Sequence, residues 1–187
     1  MGRKLRGLML IEALGLPHPP WVYGSAEHVL EKLKTMKPPL TVRTDVLEDS
    51  LVLGLPRLVP ARTLEEAEEF IKKYGTEYSY IICPVLTAQV SGTVMFISEG
   101  RLLIEGVEGD CWNLLQYGRV DFRWEPPKPP EGRWQDLISE QRLLDIFRFG
   151  SRIPKEYLAE WLVTPEGKLY FVDLYPVSGA GGGPGGI

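Results

Sequence analysis

The sequence predicts an α+β fold in which antiparallel sheets are flanked by helices. Helical and strand-like segments follow one another irregularly along the 187 residues, without the strand–helix–strand rhythm of a parallel sheet. A chain of this length fits one compact domain that buries a substantial core without a disulfide or a metal. We therefore expect one compact domain over residues 1–177, within which two small lobes, at about 1–75 and 76–177, are an open alternative.

Three segments of the first half have the apolar spacing and the end signals of helices, and one alternates as a strand. The helical segments are residues 5–14, 26–36 and 64–74, and the strand covers residues 40–44. Ser25 is the expected N-cap of the second helix, and Thr63 with Glu66 forms a capping box for the third. Residues 45–62 are expected to form a long irregular loop of the kind that carries function.

Strand-like segments dominate the second half of the chain. They cover residues 78–86, 90–97, 101–107, 120–124, 157–163 and 168–174. The break at 98–100 predicts a hairpin, and residues 125–132, with four prolines, predict an extended linker. A helix is expected over residues 137–149, and the glycine-rich residues 178–187 are expected to form a flexible tail.

Composition and charge exclude several classes of protein. The chain is 44% hydrophobic and 25% charged, which is typical of a globular protein. Its formal net charge of −4 argues against an electrostatic nucleic-acid binder. No apolar run reaches the roughly 20 residues of a membrane span. The N-terminal apolar run does not predict a signal peptide, because Glu12 interrupts it and no cleavage site follows it. We expect a cytoplasmic protein with neither nucleic acid nor membrane as a partner.

The side chains that bind structural metals are scarce. Cys83 and Cys111 are the two cysteines, and His18 and His28 the two histidines, so a zinc site is not expected. Neither histidine resembles a catalytic group, because one lies among prolines and the other on an exposed helix face. The cysteines are expected as small buried residues.

The balance of amides and prolines leaves one alternative open for these cysteines. The chain has one Asn and four Gln against 16 prolines, a depletion of thermolabile amides that suggests a thermophilic source. Because intracellular disulfides occur in such organisms, a Cys83–Cys111 disulfide is the alternative to two free thiols.

Two cations stand at positions that suit an anionic ligand. Lys4 lies at the start of the first predicted helix, where backbone N–H groups bind anions. Arg43 lies on a strand between apolar residues, and its planar guanidinium matches phosphate oxygens bidentately. The alternatives are an exposed basic N-terminus for Lys4 and a salt bridge from Arg43 to Asp45 or Glu48.

Glu160 and Asp173 are two acidic residues on the predicted C-terminal hairpin. Magnesium prefers a few carboxylate oxygens together with the phosphates of a ligand. A two-residue turn at Glu166-Gly167 would place these carboxylates directly opposite each other. A three-residue turn that includes Pro165 would shift the pairing by one residue and separate the faces. Independently solvated strand carboxylates are the alternative to a metal site.

Five short motifs occur along the chain, and their order supports a resemblance to a known family. They are Gly2-Arg3-Lys4 with Gly15-Leu16-Pro17-His18-Pro19-Pro20, Val42-Arg43-Thr44-Asp45 with Glu48-Asp49, Ala88-Gln89-Val90-Ser91-Gly92-Thr93-Val94-Met95-Phe96, Ala159-Glu160-Trp161, and Gly167-Lys168-Leu169-Tyr170-Phe171-Val172-Asp173-Leu174-Tyr175-Pro176. In this order the chain resembles, nearly end to end, a shortened ATP-grasp nucleotide-binding domain of phosphoenolpyruvate synthase and pyruvate phosphate dikinase.

The resemblance implies a site for ATP and Mg²⁺. Lys4 and Arg43 would contact the ATP phosphates and serve as the catalytic cations, and Glu160 with Asp173 would hold the magnesium. Backbone groups at Pro84, Val85 and Leu86 would bind the adenine. The implied activity is that of an ATP-dependent phosphotransferase or ligase-like enzyme, whose acceptor is a separate protein or a small molecule.

Several positions depart from the family pattern and favour a second interpretation. Leu158 stands where the family has an aspartate, Asp173 replaces a glutamine, and Tyr175 replaces an arginine. Asn113 falls near the position of an acidic residue in the family. These departures leave open a non-catalytic regulatory or protein-interaction module that retains the fold, or a structural protein without a ligand.

Overall fold

The structure is a computed structural model that describes residues 2–48 and 54–177, so the expected glycine-rich tail lies outside the described residues. The chain divides into two compact units. The first comprises Met1–Leu10 and His18–Leu86, and the second comprises Ile11–Pro17 and Thr87–Ile187. No helix among the described residues combines the length and the apolar character that a membrane span requires.

A four-stranded antiparallel sheet with the strand order β1-β4-β2-β3 forms the first unit together with its helices. The strands are β1 (Val22–Gly24), β2 (Leu40–Asp45), β3 (Arg57–Ala61) and β4 (Ser79–Pro84), and the helices are α1 (Arg3–Ala13), α2 (Ala26–Leu33) and α3 (Leu64–Tyr74). The N-caps expected at Ser25 and Thr63 are confirmed, since their side chains accept hydrogen bonds from the backbone N–H groups of His28 and Glu66.

The core of the first unit forms where α2 and α3 meet the sheet. Its buried members are Val29, Leu33, Leu40, Val42, Ala61, Ala67, Ile71, Tyr80 and Ile82. The helical residues in this set recur every four positions, which is the spacing that puts side chains on one face of a helix. The apolar pattern of the sequence therefore determines which faces of α2 and α3 are buried.

The segment predicted as an irregular loop, residues 45–62, contains a strand. β3 pairs with β2 in the register Leu40↔Ala61 and Arg43↔Arg57, and it lies at the edge of the sheet. Pro60 made this stretch resemble a loop, but a proline is tolerated in an edge strand because one side of that strand makes no ladder bonds. Asp49, part of the Glu48-Asp49 motif, lies outside the described residues.

A six-stranded antiparallel sheet with the order β10-β9-β5-β6-β7-β8 forms the second unit. Its strands are β5 (Val90–Phe96), β6 (Leu102–Glu108), β7 (Phe122–Trp124), β8 (Glu131–Gly132), β9 (Tyr157–Val163) and β10 (Leu169–Pro176), and its helices are α4 (Trp112–Tyr117), α5 (Trp134–Leu137) and α6 (Glu140–Gly150). α6 packs on one face, where Gly150 lies against Val94 and Leu102. Trp161 is fully buried on this same face, so the other face of the sheet is the one that carries Glu160.

Two predicted boundaries in the second unit were wrong. The helix expected over residues 137–149 is split, because Ser139 caps a new helix by accepting the N–H of Arg142. The predicted linker over residues 125–132 ends in β8, and α4 was not predicted. The hairpin between β5 and β6 is confirmed.

An ion-pair network joins β6 and β7 to the segment before α5. One carboxylate oxygen of Asp121 accepts the Glu108 N–H at 2.8 Å, and the other accepts hydrogen bonds from the Arg119 and Arg133 guanidiniums. Desolvation alone would raise the pKa of Asp121, but the Glu108 N–H and the two arginines hold it below its ordinary value. The ionised carboxylate is therefore stabilised by folding.

We expect Asp121→Asn to destabilise the protein in a pH-dependent manner. A carboxyl whose pKa is lowered on folding contributes stability above its unfolded pKa of about 3.9 and loses that contribution as pH falls through the folded-state value. The difference in unfolding free energy between wild type and variant should therefore be full at pH 7 and shrink as the solution becomes strongly acidic. Urea unfolding at several pH values measures it, and a difference that does not vary with pH would contradict the assignment.

We expect Tyr80→Phe to destabilise the protein, because the buried Tyr80 hydroxyl donates to the carbonyl oxygens of Ile71 and Gly75 at 3.1 and 2.8 Å. These bonds tie the end of α3 to β4, and their loss should cost about 1–2 kcal/mol. Urea unfolding measures this loss, with Tyr78→Phe on the half-buried neighbouring tyrosine as the control. Equal stability of the two variants would show that the Tyr80 hydroxyl contributes little.

Candidate functional site

In the first unit, the structure brings the two predicted cations to the end of one strand. Lys4 lies in the first turn of α1, and its Nζ is 3.5 Å from the carbonyl oxygen of Thr44. Arg43 precedes Thr44 on β2 and is half-buried, and its charge is close enough to act on the Cys83 thiol. The fold therefore places a lysine ammonium beside the backbone that carries the arginine.

The N-terminus of α1 binds a carboxylate from the protein itself. Asp45 is 2% exposed, and its Oδ2 accepts the Leu5 N–H at 2.9 Å, while its Oδ1 accepts the Val46 N–H at 3.0 Å. A side chain on Gly2 would collide with this carboxylate and with the Val46 carbonyl oxygen, so the close approach requires glycine. The sequence predicted that the N-terminus of this helix binds an anion near Lys4. In the structure the Asp45 carboxylate is the anion bound there.

The predicted adenine hinge lies at the end of β4. Pro84 is the last residue of the strand and pairs with Leu40 of β2. The Val85 N–H donates to the Pro39 carbonyl oxygen at 3.0 Å. Proline has no N–H, so a base at this hinge would use the Leu86 N–H and the carbonyl oxygens of the segment.

In the second unit, the turn of the C-terminal hairpin is the longer of the two predicted alternatives. The Thr164 N–H donates to the Lys168 carbonyl oxygen at 2.9 Å, which leaves the three residues 165–167 between them. Gly167 has a φ of 78°, the left-handed conformation that closes such a turn. The ladder then continues through Leu169↔Val163, a register that, uninterrupted, would pair Glu160 with Val172.

A β-bulge at Val172 brings the two predicted carboxylates together. The register shifts by one residue between Phe171 and Asp173, so Asp173 rather than Val172 becomes the Cα partner of Glu160. A bulge places two residues of one strand opposite one residue of the other. The expectation that a three-residue turn would separate these side chains was therefore wrong, because the bulge at Val172 reverses the one-residue shift that the three-residue turn introduces.

Tyr175 and Cys111 also surround Glu160. The Tyr175 hydroxyl is hydrogen-bonded to the Glu160 carboxylate, and burial followed by the charge of that carboxylate raises the pKa of Tyr175 above its ordinary value. Burial first, then Glu160 and Asp110, raise the pKa of Cys111 to about 12. Both groups are therefore neutral at physiological pH. Cys83 and Cys111 are free cysteines rather than a disulfide.

A row of polar residues crosses the sheet at the level of Glu160. Its members are consecutive Cα partners on the six strands: Asp173, Glu160, Thr93, Glu105, Arg123 and Glu131. The sequence pattern alone did not identify Thr93 or Glu105 as site residues. Strand alternation alone assigns each to a face of its own strand, but only the register shows that they lie beside Glu160.

The adjacent carboxylates of Glu160 and Asp173 suit Mg²⁺, but on their own they do not complete the coordination of the ion. Magnesium binds hard oxygen ligands and is commonly held by one or two carboxylates plus substrate phosphates and water. Among residues 2–48 and 54–177, no group of three or more His, Cys, Asp or Glu side chains is arranged to hold a metal ion. Glu160 and Asp173 therefore fit a magnesium ion that arrives with a phosphate ligand.

We expect Asp45→Ala to destabilise the protein by about 1–2 kcal/mol, the usual effect of removing an N-terminal helix cap. Asp45→Asn keeps an oxygen acceptor for the Leu5 N–H, so it should lose less stability. Chemical unfolding of the two variants beside the wild type measures the difference. An alanine variant as stable as the asparagine variant would show that the cap contributes little.

Comparison with known proteins shows the fold and does not establish a family. No family model matches the chain, and no curated protein matches it. Similar solved structures include the ADP complex of PurK, N5-carboxyaminoimidazole ribonucleotide synthetase, at 16% identity and a TM-score of 0.61, with 95% of this chain and 45% of that chain covered. The D-alanine–D-alanine ligase from Coxiella burnetii matches at 16% identity and a TM-score of 0.52, over 93% of this chain and 47% of that chain.

A third similar structure is closer to this chain in length. It is the Ca. Korarchaeum cryptofilum dinucleotide forming acetyl-coenzyme A synthetase 1, at 12% identity and a TM-score of 0.62, with 94% of this chain and 93% of that chain covered. Together these similarities show an α+β fold of the ATP-grasp type. The chain spans less than half of the PurK and ligase chains. The likeness is to ATP-grasp proteins in general and does not single out the phosphoenolpyruvate synthase family.

Proposed function

We propose that this protein binds ATP with Mg²⁺ and transfers a phosphoryl group to a separate acceptor. The observation that carries the proposal is the cross-strand pair of Glu160 and Asp173, which are Cα partners only because of the bulge at Val172. An irregularity that aligns two carboxylates has a cost in ladder hydrogen bonds, which a functional requirement explains. Similar structures support the choice of ligand, since the PurK structure is an ADP complex and a related synthase from Aspergillus clavatus is complexed with ATP.

The proposal gives each residue a role that its chemistry suits. Lys4 and Arg43 would neutralise phosphate oxygens, and Glu160 and Asp173 would hold the magnesium. Bound magnesium would supply further positive charge to the phosphates and orient them. Phosphoryl transfer depends mainly on such positioning and charge stabilisation, so no side-chain nucleophile is required.

The hinge residues give the proposal a base-binding element. The backbone of residues 84–86 (Pro84, Val85 and Leu86) would contact adenine. The Leu86 N–H would be the donor, because the Val85 N–H is hydrogen-bonded to the Pro39 carbonyl oxygen.

We also infer, from the ordered motifs of the sequence, a relationship to the phosphoenolpyruvate synthase and pyruvate phosphate dikinase branch of ATP-grasp proteins. The expected location of this protein is the cytoplasm, where ATP and magnesium are available.

A specific observation favours a second candidate function, a regulatory or interaction module that binds nucleotide without turnover. Tyr175 stands where the resembling family has an arginine, and it is hydrogen-bonded to Glu160. A phenol cannot supply the positive charge that a guanidinium supplies to a transferring phosphoryl group. ATP hydrolysis or transfer by the wild type that is lost in Glu160→Gln would exclude this alternative.

We expect the folded wild type to bind a non-hydrolysable ATP analogue in isothermal titration calorimetry, and to bind it more tightly with Mg²⁺. Glu160→Gln and Asp173→Asn should each weaken the magnesium-dependent binding by at least about 10-fold, or 1.4 kcal/mol, because each removes a negatively charged oxygen ligand. Without Mg²⁺ the same variants should bind the analogue no more weakly than the wild type. Arg43→Ala should weaken binding under both conditions.

Glu156→Gln is the matched control for these variants, since Glu156 is an exposed carboxylate just before β9. It should bind the analogue as the wild type does. Absence of binding by the folded wild type, with and without Mg²⁺, would overturn the proposed function. Binding that Mg²⁺ does not strengthen would leave a nucleotide site but reject Glu160 and Asp173 as magnesium ligands.

A further inference from the structure

Tyr175 occupies a position from which its side chain reaches Glu160 across the strand pair. It is the Cα partner of Leu158, two residues before Glu160, and it follows Asp173 by two residues on β10. Side chains two residues apart on a strand share a face, and diagonal neighbours on paired strands lie within reach of an aromatic side chain. The Tyr175 hydroxyl uses this position to donate a hydrogen bond to the Glu160 carboxylate.

The chemistry of this hydrogen bond differs from that of an ion pair. A hydroxyl that donates to a carboxylate forms a short, strong bond, which restricts the rotation of the carboxylate. The phenol has no charge, so it fixes Glu160 without cancelling the negative charge that attracts a cation. A guanidinium at the same place would compete directly with a metal ion for the carboxylate.

The bulge at Val172 sets the position of Tyr175 as well as that of Asp173. Every residue of β10 after the bulge is displaced by one position relative to β9, as the pairs Leu174↔Ala159 and Tyr175↔Leu158 show. In the uninterrupted register of the hairpin turn, Tyr175 would pair with Tyr157 and lie farther from Glu160. The same irregularity therefore supplies both the second carboxylate and the donor that holds the first.

We propose that Tyr175 is a positioning residue for the divalent cation, whose hydroxyl holds the Glu160 carboxylate beside Asp173 so that both present an oxygen to one ion. This inference rests on the proposed function, because it takes Glu160 and Asp173 as the magnesium ligands. It adds a residue that does not contact the metal and acts through Glu160. Residues that orient metal ligands in this way typically contribute about 10- to 100-fold to metal affinity.

The test is binding of Mn²⁺, a paramagnetic substitute for Mg²⁺, to the full chain with and without the ATP analogue, measured by electron paramagnetic resonance. Tyr175→Phe removes one oxygen atom and should weaken Mn²⁺ binding by about 10-fold or more. Tyr170→Phe is the matched control, because Tyr170 is a half-buried tyrosine on the same strand that pairs with Leu162. It should bind Mn²⁺ as the wild type does.

The results separate failure of this inference from failure of the proposed function. A folded wild type that binds no Mn²⁺, with or without the ATP analogue, would reject the metal site itself. A wild type that binds Mn²⁺ and a Tyr175→Phe variant of equal affinity would overturn only the role of Tyr175. Affinity for the ATP analogue without metal should be unchanged in Tyr175→Phe, and an equal loss there would also overturn that role, because it would indicate a general structural effect.

A second measurement tests the inference without a Tyr175 variant, in case Tyr175→Phe does not fold. Binding of Mg²⁺ to a carboxylate that accepts the Tyr175 hydrogen bond should perturb the near-ultraviolet absorption of that tyrosine. The magnesium-induced difference spectrum should be present in the wild type and persist in Tyr170→Phe. Calorimetric Mg²⁺ binding without any such spectrum would overturn the inference, and so would loss of the spectrum in Tyr170→Phe.

Discussion

In the β9–β10 hairpin, the extra residue Val172 keeps the carboxylates of Glu160 and Asp173 opposite each other. Side chains alternate along a strand, so a shift of one residue exchanges the two faces for every residue that follows. The three-residue turn, in which Gly167 has a positive φ, sets one register, and the bulge converts it into another. The place of Asp173 in the polar row, the Tyr175 contact and the candidate metal site all follow from this pair of irregularities.

The candidate cations and the candidate carboxylates lie in different units of the chain. The first unit presents Lys4 and Arg43 near the end of β2, and Asp45, the acidic residue beside them, is committed to the N-terminus of α1. In the second unit the neutral Tyr175 hydroxyl donates a hydrogen bond to Glu160, while the neutral Cys111 thiol lies near that carboxylate and donates to the Gly92 carbonyl oxygen. Cations suit phosphate oxygens, and carboxylates suit a divalent metal.

The sequence predicted best those features that local interactions determine. The caps at Ser25 and Thr63 depend on residues three positions apart, and both were found where they were expected. β3 was missed because Pro60 indicates a loop unless the strand is known to lie at a sheet edge. Neither of the two turn lengths expected for the last hairpin included a second bulge farther along β10. Its position shows only in the register in which β10 pairs with β9 beyond the turn, and no local pattern of the sequence gives that register.

The low identity to similar structures shows that this fold tolerates extensive change of sequence. At 12% identity, the fold persists over 94% of the chain, because burial requires only apolar side chains of suitable size at the core positions. Phosphoryl transfer instead requires particular charged groups at particular positions, and at position 175 the chain carries a neutral phenol. A neutral donor on Glu160 leaves the negative charge of that carboxylate uncancelled and adds no positive charge beside it. Of the two parts of the proposed function, metal-dependent nucleotide binding is therefore better supported by these groups than phosphoryl transfer is.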